Sequence, residues 1–381
     1  METDPTIPTS ASPPAFDVEV PDIPMPQLAV DFAVKDEVDV SFKLAFVGSG
    51  QGGSRIAATF HKMGYRRVCA INTSQQDLAT LALPAQAKMC IGGGGAGKDP
   101  KAAHNLFNEK REDVLDLMRR CFGQQIDRTF VCIGAGGGTG SGTSIRLTET
   151  ARDLQTQLKC PTKIGVIVSL PKNSEGSKVA ANAFTTVESL VGLVDEGVVS
   201  PLIILDNEKI KAIYPGLAVD PFWDTANQSV ASLFHLFNSV TCKQSSYTTF
   251  DAADFATVLD SGIIVFGATP IEKWEDPTDI SYAVRDNLKR NILCGGMDLA
   301  TGNVAGVVVV GGQEILSKIP HENLDHGFEQ FTRLLKPGST VHRGIYRGDK
   351  QTLRAYTVIG GLAKPASRLE ELRSIGNLPP K

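Results

Sequence analysis

The residues best able to do chemistry are three runs of glycine. The first, Gly134-Ala135-Gly136-Gly137-Gly138-Thr139-Gly140-Ser141-Gly142, follows the apolar run RTFVCIG and precedes TSIRLTETARDLQTQL. Glycine accepts positive φ and lets a backbone approach a ligand closely. The start of a helix offers unpaired N–H groups and the positive end of a dipole, which favour phosphate. The hydroxyls of Thr139 and Ser141 add donors. A flexible linker is the weaker reading, because linkers are not normally clamped between a buried strand and a helix. The second run, Gly48-Ser49-Gly50-Gln51-Gly52-Gly53, fits GxGxxG, which taken alone suggests a dinucleotide enzyme. Such an enzyme wants an acid about 20 residues on, to hold the ribose. Here the next apolar run ends in Ala70-Ile71-Asn72-Thr73, with no acid at its tip. The third run, Gly92-Gly93-Gly94-Gly95-Ala96-Gly97, is surplus for a dinucleotide. Three phosphate-sized loops in one open sheet suit a triphosphate better. The lysine-bearing loop GxxxxGK[ST] is absent, which excludes the commonest nucleotide-binding class.

The elements that must carry these loops follow from apolar periodicity. Short apolar runs at 43–48, 66–72, 128–134, 163–170 and 200–206 read as buried strands, and amphipathic stretches such as 104–122 lie between them. This alternation predicts an α/β fold, a parallel Rossmann-like sheet with helices on both faces. Asp220-Pro221 opens a long helix, with Asp as cap and Pro at its first position. Phe222, Ala226, Val230, Leu233, Phe237 and Val240 step by three and four along one face of it. Strand-like runs at 263–267, 305–312, 341–347 and 353–360, with helical stretches at 278–292 and 321–335, form a second α+β unit with a mixed four-stranded sheet. The predicted organisation is a disordered Pro-rich acidic tail over 1–41, a nucleotide-binding domain over 42–219, a central helix over 220–248, a second domain over 249–362 and a tail over 363–381.

Composition narrows the class. The 381 residues are 42% hydrophobic and 21% charged, which fits a globular chain of two domains. A net charge of −4 gives no reason to expect a nucleic-acid partner. The seven cysteines contain no CxxC pair and the six histidines no ligand spacing, so free thiols and no metal site built from histidine are expected. No apolar stretch of about 18 residues exists for a membrane span, and the N-terminus is unlike a signal peptide. These features predict a cytoplasmic protein.

The heptapeptide GGGTGSG, Gly136 to Gly142, resembles the signature of the tubulin/FtsZ superfamily, and the motif is specific. Residues 43–362 agree with that family in order and spacing. FVGSGQGGS (46–54) resembles its first loop and implies that Gly50, Gln51, Gly52, Gly53 and Ser54 contact nucleotide. AINTSQQDL (70–78) resembles the second loop, bringing Asn72, with Ser74 where an Asp is usual. GGGGAGKDP (92–100) resembles the loop that senses the γ-phosphate, bringing Gly94, Gly95, Ala96 and Gly97. The signature itself implies Gly136, Gly137, Gly138, Thr139, Gly140 and Ser141. SLPKNSEGSK (169–178) resembles the ribose loop and puts Glu175 on the sugar hydroxyls, although Val179 stands where an Arg is usual. LDNEKI (205–210) implies that Asn207 reads guanine. Trp223 and Asn227 have the spacing of the family's stacking aromatic and base-binding amide. Phe222 is the alternative stacker.

TFDAADFATVL (249–259) resembles the synergy loop that enters the next subunit's pocket. Asp251 and Asp254 match its two acids, and Thr249 replaces its Asn. VHRGIYRGDKQTLRAYTVIGGL (341–362) resembles the family's final hairpin, with a turn at Gly348-Asp349-Lys350. The resemblance thus implies GTP/GDP as ligand with Mg²⁺, head-to-tail filaments of the chain with itself, and hydrolysis at the subunit contact by water that Asp251 and Asp254 orient. Cell division or a related positioning task follows from the family, with adaptor proteins reached through the N- or C-terminal tail. A slow or non-hydrolysing scaffold filament of the plasmid or phage segregation type is one alternative, and an NAD-dependent Rossmann oxidoreductase another.

Overall fold

Ten runs of the chain extend into one sheet. The computed structural model describes residues 35–245 and 247–379. In chain order the strands are β1 (Leu44–Ser49), β2 (Val68–Asn72), β3 (Lys88–Cys90), β4 (Arg128–Gly134), β5 (Ile164–Leu170), β6 (Val199–Asp206), β7 (Ile263–Pro270), β8 (Val304–Gly312), β9 (Thr340–Gly348) and β10 (Leu353–Gly360). They lie side by side as β3-β2-β1-β4-β5-β6-β7-β10-β8-β9. From β3 to β7 every pairing is parallel. β10 then runs antiparallel to both β7 and β8, and β9 is parallel to β8. The last four strands form the mixed arrangement expected from sequence, but not as a separate sheet. They continue the parallel one through the pairs Leu202↔Ile263 and Ile203↔Ile264.

β1 and β6 are buried along their whole length because helices cover both faces. Successive side chains of a strand point to opposite faces, and the two cores sort accordingly. Ala45, Val47, Val131, Ile133, Val166 and Val168 share one core with Val307 and Val309 far along the sheet. Leu44, Phe46, Phe130, Ile167 and Ile203 share the other with Val308 and Tyr356. Each core therefore runs the length of the sheet. The helices that position the loops are α1 (Gly50–Lys62), α2 (Gln75–Ala79), α3 (Pro100–Glu109), α4 (Arg111–Phe122), α5 (Gly138–Gln157), α6 (Ser177–Asp195), α7 (Asn207–Ile213), α8 (Val219–Val240) and α9 (Ala252–Leu259). All six apolar residues read as one face of the long helix are buried.

Several expectations need correction. The stretch 104–122 is two helices, because Lys110 leaves helical backbone between α3 and α4. The stretch 278–292 is helical as expected, running from Pro277 to Asn291 with a π turn over Ala283–Asn287 between two α segments. α8 starts at Val219 with Ala218 as its capping residue. Pro221 thus sits inside the first turn, where its missing N–H has no intrahelical partner to lose. β9 and β10 are not a hairpin, since β8 lies between them. Residues 35–41 are part of the fold and not of a tail. Asp36 pairs with Arg67 at 2.6 Å, both side chains being under a tenth exposed, and Val38, Val40 and Phe42 pack on the core under α8. The rest of the expected N-terminal tail, 1–34, lies outside the described residues. At the other end, the expected tail instead forms helix Ala366–Ile375, which buries Leu369 and Leu372.

α8 also carries a titration that stability should report. His235 bonds the Tyr65 hydroxyl through Nδ1 (3.2 Å) and contacts the Ser239 hydroxyl. Burial, helped by Lys243, holds its pKa down from 6.5 to about 4. The unfolded chain therefore takes up this proton before the folded one does. The contribution of neutral His235 is complete above pH 6.5 and is lost as pH falls towards 4, by up to about 3 kcal/mol. Denaturant midpoints at pH 7 and pH 4.5 check this: wild type should lose more stability between them than His235→Gln.

Candidate functional site

The parallel strands end together, and their C-terminal ends open into a cavity of about 650 Å³. This is the crevice where open α/β sheets bind ligands. One half is walled by the glycine loops. Ser49 leads β1 into α1, and Gly50 takes φ +70°. A methyl group on Gly50 would sit 2.9 Å from Gly140 N, and one on Gly140 would sit 2.6 Å from Gly134 O. The N-termini of α1 and α5 can converge only because both positions lack a side chain. Buried hydroxyl pairs reinforce that junction. Ser49 meets Thr143 and Thr73 meets Thr139, each at 2.7 Å. Asn72 accepts from Ser74 N (3.3 Å) and donates to Asp77 (3.1 Å), which shapes the turn after β2.

The other half is walled by amides, an acid and an aromatic ring. Asn207 begins α7 and Asn227 lies on α8, 5% and 7% exposed, and both reach the cavity. Glu175 lines it too, with one oxygen accepting from Lys172 N (2.7 Å). Trp223 stands at the wall, whereas Phe222 is buried in the core edge-on to it, 5.1 Å between centroids. Of the two candidate stackers, Trp223 is the one that faces the cavity.

Gly50, Gln51, Gly52, Asn72, Gly94, Gly95, Ala96, Gly97, Gly136, Gly137, Gly138, Thr139 and Gly140 all line the same space. Three of the residues expected to contact nucleotide do not. Gly53 lies where α1 crosses β4, and a methyl there would be 2.0 Å from Cys132 O. Ser54 is buried against β2, its hydroxyl directed at Ile71 O (3.5 Å). Ser141 turns its hydroxyl back to the Ala135 carbonyl. Conversely, sequence reading missed Arg55, Asp77 and Lys98, which also line the cavity. Arg55 follows the first motif directly and Lys98 the third, so a search for cations flanking the glycine runs would have found both. Val179, which replaces the usual Arg, packs beside Gly136.

Asp251 and Asp254 do not line the cavity. They cap α9 reciprocally: Asp251 accepts from Asp254 N (2.9 Å) and Asp254 from Asp251 N (3.1 Å). The second oxygen of Asp254 pairs with His342 Nδ1 at 2.6 Å, and His342 Nε2 is buried with no partner. Within one subunit these acids serve the helix. Among the described residues no three His, Cys, Asp or Glu side chains gather as a metal site, and no helix is long and apolar enough to cross a membrane. All seven cysteines are free.

A parallel sheet with three glycine loops at its C-terminal edge, a long helix across one face and mixed strands that continue the same sheet define the tubulin/FtsZ class of fold. Residues 43–215 match the GTPase domain of the Tubulin/FtsZ family, and this part of the chain is a domain of that family. It is 26% identical over 355 residues to cell division protein FtsZ 1 of Pyrococcus furiosus, covering 90% of this chain and 88% of that one. It is 22% identical over 368 residues to the tubulin-like protein TubZ of Bacillus cereus, covering 87% and 82%. Its fold matches a GTPγS-form protofilament of TubZ from Bacillus thuringiensis serovar israelensis with a TM-score of 0.77 at 19% identity, over 89% of this chain and 92% of that one.

The α1–α5 junction gives a direct test. Gly140→Ala forces backbone apart and should weaken nucleotide binding at least about tenfold, a cost of about 1.4 kcal/mol. Gly93→Ala, where a methyl meets nothing within 4 Å, should bind as wild type does. Equilibrium binding of labelled nucleotide to both variants makes the comparison.

Proposed function

We propose that the chain binds GTP in this cavity, stacks head to tail with copies of itself, and hydrolyses GTP where two copies meet. The observation that carries the reading is the division of the cavity. One half presents backbone and hydroxyl donors suited to a triphosphate, and the other presents two buried amides, an acid and an indole suited to a nucleoside. An amide donates and accepts at once, which matches the edges of guanine. The acid that a dinucleotide enzyme would place at the tip of β2 is replaced by Asn72, which disfavours the oxidoreductase.

The chemistry asks mainly for positioning and charge stabilisation. Backbone N–H groups of α1 and α5 hold the phosphates, with Arg55 and Lys98 supplying positive charge on the same wall. Asp251 and Asp254 of one subunit enter the cavity of the next and orient a water for in-line attack on the γ-phosphorus. The bond to the β-γ bridging oxygen breaks as the new P–O bond forms, leaving GDP and phosphate. The donor set fits a Mg²⁺ that would be held chiefly by phosphate oxygens and water, with Asp77 on the cavity wall, because among the described residues no three metal-binding side chains gather there. Bound this way the ion would neutralise phosphate charge. A contact that joins one face of a subunit to a different face of the next repeats without closing, so it builds a filament. Positioning of DNA or of a division site are the tasks that suit such a polymer.

Sedimentation and phosphate release with GTP, ATP or GDP test this. Wild type should pellet and release phosphate with GTP alone. Asp251→Ala should pellet while releasing phosphate at least about 100-fold more slowly. Pelleting without release by wild type would favour a scaffold filament, to which Thr249 already points. Absence of GTP binding would overturn the reading.

A further inference from the structure

Helix Ala366–Ile375 reaches back from the end of the chain and packs against α6. Its Arg368 is 4% exposed and lies behind the nucleoside half of the cavity. Nε of Arg368 donates to Asp206 (3.1 Å), Nη2 to the Pro171 carbonyl (2.7 Å), and Nη1 to Asn173 Oδ1 (2.6 Å) and Glu371 (2.7 Å). Asp206, itself 2% exposed, caps α7 by accepting from Glu208 N (3.1 Å), and also accepts from Gly295 N (3.4 Å). The residue after Asp206 is Asn207, the base-facing amide. Pro171 lines the cavity, and Asn173 opens the short turn that ends in Glu175. One guanidinium therefore spans the two segments that present Asn207 and Glu175. A planar fork of five donors can join diverging acceptors in this way, and a lysine ammonium cannot. None of the hydrogen-bond partners of Arg368 among the described residues belongs to a glycine loop.

We propose that Arg368 is a positioning residue for nucleotide selectivity: by docking the C-terminal helix it fixes Asn207 relative to Glu175, so preference for guanine depends on that helix while the grip on the triphosphate does not. The proposal rests on the GTP reading above. It also makes the C-terminal helix a handle through which anything that undocks it would loosen the base end of the site alone.

The test is equilibrium binding of labelled GTP to the full chain, with unlabelled GTP and ATP as competitors. Wild type should prefer GTP. Arg368→Met should shrink the GTP-over-ATP ratio by about tenfold or more while ATP affinity stays within about twofold, and Arg368→Lys should recover part of the ratio. Glu370→Gln, on the exposed side of the same helix, should bind as wild type does. Arg368→Met strands Asp206 as an uncompensated buried carboxylate. The double variant Arg368→Met/Asp206→Asn removes that charge and should show the same shrunken ratio if the single variant does not fold. A ratio kept at the wild-type value in either variant, or an equal loss for both nucleotides, overturns the proposal. A wild type without guanine preference overturns the GTP reading itself and is seen before any variant is made.

Discussion

Two helix N-termini can face a single anionic ligand only if their backbones come closer than side chains allow. At Gly50 and Gly140 that condition is met, and the arrangement of β1, β4, α1 and α5 follows from it. The strands must end level so that both helices start at the same height, which a parallel register between β1 and β4 provides. The hydroxyl pairs Ser49–Thr143 and Thr73–Thr139 satisfy buried polar groups that would otherwise cost about 1–3 kcal/mol each. Phosphate-binding geometry and core packing are thus one requirement met by the same residues.

The rest of the molecule extends this platform sideways. Because β7 continues the sheet from β6, the mixed strands β8–β10 inherit the same two faces, and the cores on those faces are continuous. α9 and its acids are held by that continuation. Phe255 and Val258 anchor the helix in the core under α8, so the acidic end projects from a fixed base. A loop that must present charge to another molecule gains from such support, since less freedom is lost when the contact forms.

Much of this was legible in the sequence, for reasons that can be named. The strands β1, β4, β5 and β6 are buried or nearly buried apolar runs bounded by glycine or polar residues, and the face of α8 is a simple spacing rule. Features that depend on non-local choice were not legible. The interposition of β8 between β9 and β10 leaves no trace in a sequence where two strand-like runs flank a Gly-Asp-Lys turn. The helix that carries Arg368 looks like a polar tail, because its burial is decided by Asp206, Pro171 and Asn173, all more than 160 residues away. Residues 35–41 read as tail for the same reason, their partners being Arg67 and the core under α8. At the site, Gly53, Ser54 and Ser141 fell inside phosphate-binding motifs yet serve helix packing. A motif marks the segment that turns, and the structure decides which of its residues face the opening.

The capping box on α9 makes the two acids unequal. Asp254 has both oxygens engaged, one by the Asp251 N–H and the other by His342, whereas Asp251 has one engaged by the Asp254 N–H. Of the four oxygens of this pair, the remaining one of Asp251 has no hydrogen bond among the described residues. A foreign water or phosphate meeting this helix start would therefore find one carboxylate already committed as a strut and the other with lone pairs to spare. The pair is better described as a lever and its fulcrum than as two equivalent bases, with His342 as the bearing on which the fulcrum rests.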